Sequence, residues 1–226
     1  MPLVDAEPYE FAFEPPTAAL LIIDMQRDFV DSGGFGELLG NDVAPLREVI
    51  GPIGRVLAAW RAQGLLVIHT REGHRPDLSD CPPAKLARGK LAIGIGDQGP
   101  LGRVLVRGEL GWQIIPELAP ALGEIVIDKP GKGSFYATDL ELILRRRGIT
   151  HLVLTGITTD VCVHTTMRDA NDRGFECLLL EDCTGATDYG NYQSAIKMVK
   201  MQGGVFGTVS RSEALIEALE TRNRYE

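Results

Sequence analysis

Short apolar runs recur along the chain, and the segments between them carry apolar residues at helical spacing. The runs are ALLIID at 19–24, LLVIHT at 65–70, EIVIDK at 124–129, HLVLTG at 151–156, FECLLLED at 175–182 and GVFGTV at 204–209. Between the first two, Leu46, Val49, Ile50, Ile53, Val56, Leu57 and Trp60 hold one helical face until Gly64 ends it. Helices are predicted likewise over 139–147, 162–173, 192–202 and 210–219. Strands alternating with helices in this way predict βαβ units and a parallel sheet. The expected fold is therefore a three-layer α/β/α domain over 17–226 with a six-stranded, Rossmann-like sheet. Residues 1–16 are expected to form a loosely packed N-terminal arm.

The stretch 71–117 departs from this rhythm. It is rich in Gly and Pro and too long for a routine connection, which suggests a functional lid or a contact segment. Two fragments resemble phosphate loops and fail on context. GIGDQG at 94–99 lacks a preceding strand and is followed by Pro100, while in PGKGS at 130–134 Lys132 precedes Gly133 instead of Ser or Thr.

Composition narrows the field of partners. The 226 residues are 44% hydrophobic and 24% charged, as in ordinary soluble proteins, and no aliphatic run approaches a membrane span. A net charge of −8 without a basic tract argues against nucleic acid and membrane and leaves a small molecule as the expected partner. The N-terminus has no basic segment leading into an apolar one, so a cytoplasmic protein is expected. Cys81, Cys162, Cys177 and Cys183 form no C-x-x-C pair, and free thiols are expected. The four histidines form no metal-ligand spacing, so neither a metal nor another cofactor is predicted.

Three residues capable of covalent chemistry fall where strands end, the place at which open parallel sheets bind ligands. Asp24 closes the first run, Lys129 closes the third, and Cys162 follows the fourth at the start of a helix. Singly, each reads as a turn acid, a surface lysine and a buried thiol. Together they read differently, because an acid at the end of ALLIID needs a buried partner and Lys129 can supply it. Cys162 at a helix N-terminus beside a lysine is expected to favour the thiolate, and the turn TGITTD offers backbone amides for an oxyanion hole. Phe29 and Phe35 can wall a flat ligand, and Lys132, His164, Tyr189 and Asn191 are further pocket candidates.

LLIIDMQRDF, the lysine near Ser134 and Phe135, and GITTDVCV resemble, in that order, the motifs of the isochorismatase-like cysteine hydrolases. The resemblance implies a parallel α/β/α fold, a homo-oligomer, taken here as a homotetramer, and an Asp-Lys-Cys triad falling on Asp24, Lys129 and Cys162. It also implies a cis peptide at Ile157-Thr158 and oxyanion-hole amides from Thr158 and Cys162. Nicotinamidases of this family carry an Asp-x-His metal cluster absent here, and isochorismatases proper lack the nucleophilic cysteine. HTREGHRPDL, DKPGKGSF, LLLEDCTGATDYGN and AIKMVKMQGGVFG resemble the biuret and triuret hydrolases, which implies substrate contact at Gln202. The expected reaction is hydrolysis of a terminal amide of biuret or triuret through a thioester, releasing ammonia with allophanate or carboxybiuret. The alternatives are another ureido or carbamoyl amidase, a non-catalytic scaffold and a redox-sensing thiol protein.

Overall fold

The computed structural model describes residues 1–87 and 92–223. Six parallel strands form its centre: β1 (Ala18–Ile23), β2 (Leu66–Glu72), β3 (Ile125–Lys129), β4 (His151–Ile157), β5 (Glu176–Gly185) and β6 (Thr208–Ser210). Their spatial order is β6-β5-β4-β1-β2-β3. Around them pack α1 (Ile50–Ala62), α2 (Leu140–Arg146), α3 (His164–Asp172), α4 (Tyr189–Gly204) and α5 (Ser212–Asn223).

Side chains alternate across a strand, so β1 feeds both cores. Leu20 and Ile22 meet Val56 and Trp60 of α1 and Leu215 and Leu219 of α5. Leu21 and Ile23 meet Leu144 of α2, Met167 of α3 and Val199 of α4 on the other face. All six residues of β1 are buried, and each fully buried leucine or isoleucine contributes about 1.5–3 kcal/mol. This double burial makes the run ALLII continuous instead of alternating.

The chain steps outward from β1 to β2 and β3, then crosses back to place β4 on the opposite side of β1. That reversal makes the carboxyl ends of β1 and β4 a topological switch point, the position at which open parallel sheets bind ligands. Ile23 is level with Gly156, and Glu72 is level with Lys129. The end of β1 and the end of β4 approach closely because Gly156 has no side chain. A Cβ on it would lie 2.1 Å from the Ile23 carbonyl oxygen, and its φ is +101°.

Several boundaries differ from the sequence reading. The first sixteen residues do not pack loosely. Leu3–Val4 pairs with Phe11–Ala12, Glu7 bridges Val209, and Val4, Phe11 and Phe13 enter the core. The predicted first helix is two segments, Ala44–Glu48 and α1. Residues 71–72 belong to β2, and the following stretch holds a helical turn, Pro83–Leu86, and a tiny antiparallel pair, Gln98–Gly99 with Gly102–Arg103. Thus 94–97 is a turn leading into the strand Gln98–Gly99, with no phosphate-loop context, and residues 88–91 of that stretch lie outside the described residues. No helix among the described residues is long and apolar enough to cross a membrane.

Candidate active site

The strand ends bring Asp24, Lys129 and Cys162 together, although 138 residues of sequence separate the first from the last. Asp24 directly follows β1 with a left-handed φ of 52°, an unusual conformation that aspartate tolerates better than most residues. Its Oδ2 lies 2.6 Å from Lys129 Nζ, both side chains being fully buried. Its Oδ1 accepts a 2.6 Å hydrogen bond from the Thr70 hydroxyl, which in turn accepts from the Asp24 amide at 3.2 Å. The Lys129 ammonium donates to the carbonyls of Gly131 and Lys132, each at 2.9 Å. The ion pair with Asp24 stands beside these two hydrogen bonds. Burial alone would lower the Lys129 pKa, but Asp24, Cys162 and Glu72 raise it above the ordinary value. Lys129 therefore stays charged, and its influence on the sulfur is purely coulombic.

Cys162 lies on a single π-helical turn, Thr159–Val163, between β4 and α3. Such turns recur at functional sites. The Ile157-Thr158 peptide is cis, and the Thr158 carbonyl accepts from the amides of Val161 and Val163. Below the turn, the Thr166 hydroxyl donates to the Cys162 carbonyl at 2.7 Å and accepts from the Ser134 amide at 3.1 Å. This hydroxyl couples the turn that carries Cys162 to the 130–134 loop, whose carbonyls hold Lys129.

The expectation of a thiolate at Cys162 is corrected. Burial pushes its pKa well up, and Asp24 and Glu72 reinforce this against the lowering effect of Lys129 and Lys132. The free site holds a thiol, which donates to Glu72 Oε2 at 3.5 Å.

Glu72 is the residue that the sequence reading missed. It ends β2 beside Lys129, fully buried. Its Oε1 accepts from Lys85 at 2.9 Å and Lys132 at 2.8 Å, while Oε2 stands 3.9 Å from Lys129 Nζ. Gln26 clamps its backbone, accepting from the Glu72 amide at 2.7 Å and donating to its carbonyl at 2.9 Å. Burial would raise the Glu72 pKa, but the three lysines hold it down to about 2. Asp24, Glu72 and Cys162 offer three ligand atoms within 4.8 Å of one another, the one such group among the described residues. The Lys129 ammonium against Asp24 already supplies a cation at that point.

Among the predicted pocket residues, the structure brings Lys132 to this cluster. Phe29 packs against the core, and Phe35 opens the short helix Phe35–Leu38, whose first amide turns to the buried Asp28. His164 accepts from Arg168 at 2.9 Å and sits edge-on to Phe206, facing α4. Tyr189 is exposed and stacked on Tyr192, and the neighbouring Asn191 has its amide capped by Asp188. Gln202 is exposed where α4 breaks, with a left-handed φ of 55°. None of these six hydrogen-bonds to Asp24, Lys129 or Cys162. All four cysteines are free and buried, and Cys81 stands within electrostatic reach of Lys85, Glu72 and Lys132.

An isochorismatase domain profile matches residues 18–214, nearly the whole described fold and all three strand-end residues. The chain belongs to the isochorismatase family. It is 36% identical over 219 residues to the ureidoacrylate amidohydrolase RutB of Klebsiella pneumoniae, covering 95% of this chain and 92% of that protein. A cysteine hydrolase from Pseudomonas syringae superposes with a TM-score of 0.78 at 25% identity, covering 98% of each chain. The N-carbamoylsarcosine amidase of Thermoplasma acidophilum superposes with a TM-score of 0.65 at 28% identity, covering 87% of this chain and 97% of that one. RutB and the sarcosine amidase are named for ureido and carbamoyl compounds instead of the expected biuret or triuret.

Proposed function

We propose that this isochorismatase-family chain is an amidase that cleaves the terminal C–N bond of a ureido group through a thioester on Cys162. In such a group the carbonyl stands between a free amino nitrogen, which departs, and a second nitrogen that carries a substituent R. The observation that carries this reading is the sulfur clustered with two buried carboxylates, one of them paired with Lys129 at 2.6 Å. Because the resting group is a thiol, attack requires a base. Asp24 takes the S–H proton as Sγ bonds to the carbonyl carbon, then delivers it to the departing nitrogen as the C–N bond breaks. Water, deprotonated by Asp24, hydrolyses the thioester and restores the thiol. The amides of Thr158 and Cys162, which the family resemblance implies, receive the carbonyl oxygen in this reading; removing one such donor typically costs about 10²–10³ in kcat.

Two kinds of R have separate support. The names of the relatives support a ureido acid, and so does the charge balance of the cluster, where three lysines face two carboxylates. An anionic R would offset that excess. The segments that resemble biuret and triuret hydrolases support a linear urea oligomer, with Gln202 as a contact.

Purified protein offered ureidoacrylate, N-carbamoylsarcosine, biuret, triuret and nicotinamide separates these readings through ammonia release. Activity on the ureido compounds that disappears in Cys162→Ser is the expected result, and relative kcat/KM names R. Release from nicotinamide alone, or activity surviving in Cys162→Ser, would overturn the proposal.

A further inference from the structure

The triad leaves Glu72 without a task, yet no side chain in the cluster is held more elaborately. Its Oε1 is committed to Lys85 and Lys132, and its backbone to Gln26. Oε2 receives only the Cys162 thiol, at 3.5 Å, among the described residues. Lys129 Nζ, at 3.9 Å, is beyond hydrogen-bond distance and donates to the Gly131 and Lys132 carbonyls instead. When the thiol proton moves to Asp24 and Sγ bonds to carbon, Oε2 loses its donor. A buried charged acceptor left unpaired is costly, so the bound substrate is the group that must replace it.

A ureido carbon carries two nitrogens. The departing one takes its proton from Asp24 and therefore stands on that side of the sulfur. The retained one brings a second N–H into the same cluster, where Glu72 Oε2, 3.5 Å from the sulfur, is the acceptor that the departing thiol proton leaves open. We infer that Glu72 Oε2 accepts a hydrogen bond from the N–H of the retained nitrogen and so selects ureido substrates over carboxamides, which have carbon at that position. This inference rests on the ureido-amidase reading above. The lysines keep the acceptor ionised: a protonated Glu72 would present a donor to a donor, and its pKa of about 2 prevents that at any working pH.

Substrate pairs that differ by an N–H against a methylene test it directly: biuret against malonamide, and N-carbamoylglycine against succinamate. In the wild type, kcat/KM for the ureido member is expected to exceed that for the carboxamide by about a hundredfold or more. Glu72→Asp keeps a carboxylate among the lysines but withdraws it from the sulfur, and Glu72→Gln keeps the length but not the charge. In either variant, shown folded by circular dichroism, the preference is expected to fall at least tenfold through loss on the ureido member. Equal hydrolysis of both members by the wild type, or an unchanged preference in both variants, overturns the role of Glu72 while leaving the amidase reading intact. Hydrolysis of neither pair, together with inactivity on the other ureido compounds, overturns both.

Discussion

At Cys162 the protein keeps a thiol protonated by burying it beside two carboxylates. Iodoacetamide should therefore alkylate Cys162 of the free protein at pH 7 more slowly than it alkylates free cysteine, whose pKa is about 8.5. The rate should keep climbing past pH 9 instead of levelling, as peptide mass spectrometry will show. Gly156 is the other residue on which the site depends. In Gly156→Ala the new Cβ meets Ile23 at 2.1 Å on a left-handed backbone, which predicts a loss of roughly 2 kcal/mol or more in urea unfolding. Asp24, Lys129 and Cys162 were legible because each ends or follows an apolar run. Glu72 was not, since HTREGH reads as the start of a loop and its lysines lie at 85, 129 and 132, distances that only the fold closes.

Among the elements, the strands announced themselves through double burial, and each of the six predicted runs contains or overlaps one. The N-terminal hairpin did not. Its two-residue strands are too short for a periodic signal, and their value lies in Phe11 and Phe13, which pack against each other while Phe13 stacks on Trp60. Phe13→Ala should cost about 3–5 kcal/mol, read from the urea midpoint, although the residue lies outside the strands of the main sheet. The link between the 130–134 loop and the turn that carries Cys162 was also invisible, because hydroxyl pairings such as Thr166 with Ser134 follow no local pattern. Thr166→Val leaves the Ser134 amide unpaired and should cost about 1–3 kcal/mol. It should lower kcat more than it alters KM, since it loosens both Lys129 and Cys162.

For the whole molecule, buried acids set the acid limit of stability. Glu72 and Glu124 have folded-state values of about 2 against an ordinary 4.5, so their ionised forms stabilise the fold. That contribution is complete above about pH 4.5 and disappears as the pH falls towards 2. Urea midpoints should drop across that window, and Glu72→Gln should flatten the drop. The strand order β6-β5-β4-β1-β2-β3 has a further consequence during synthesis. A nascent chain that has emerged as far as Lys129 already carries the acid and the ammonium, but one edge of β1 is still bare. Only β4 can cover that edge, and Cys162 follows β4 directly. The sulfur of Cys162 thus enters the molecule with the strand that completes its centre, so an N-terminal fragment released early from the ribosome carries Asp24 and Lys129 without the thiol they face in the finished fold.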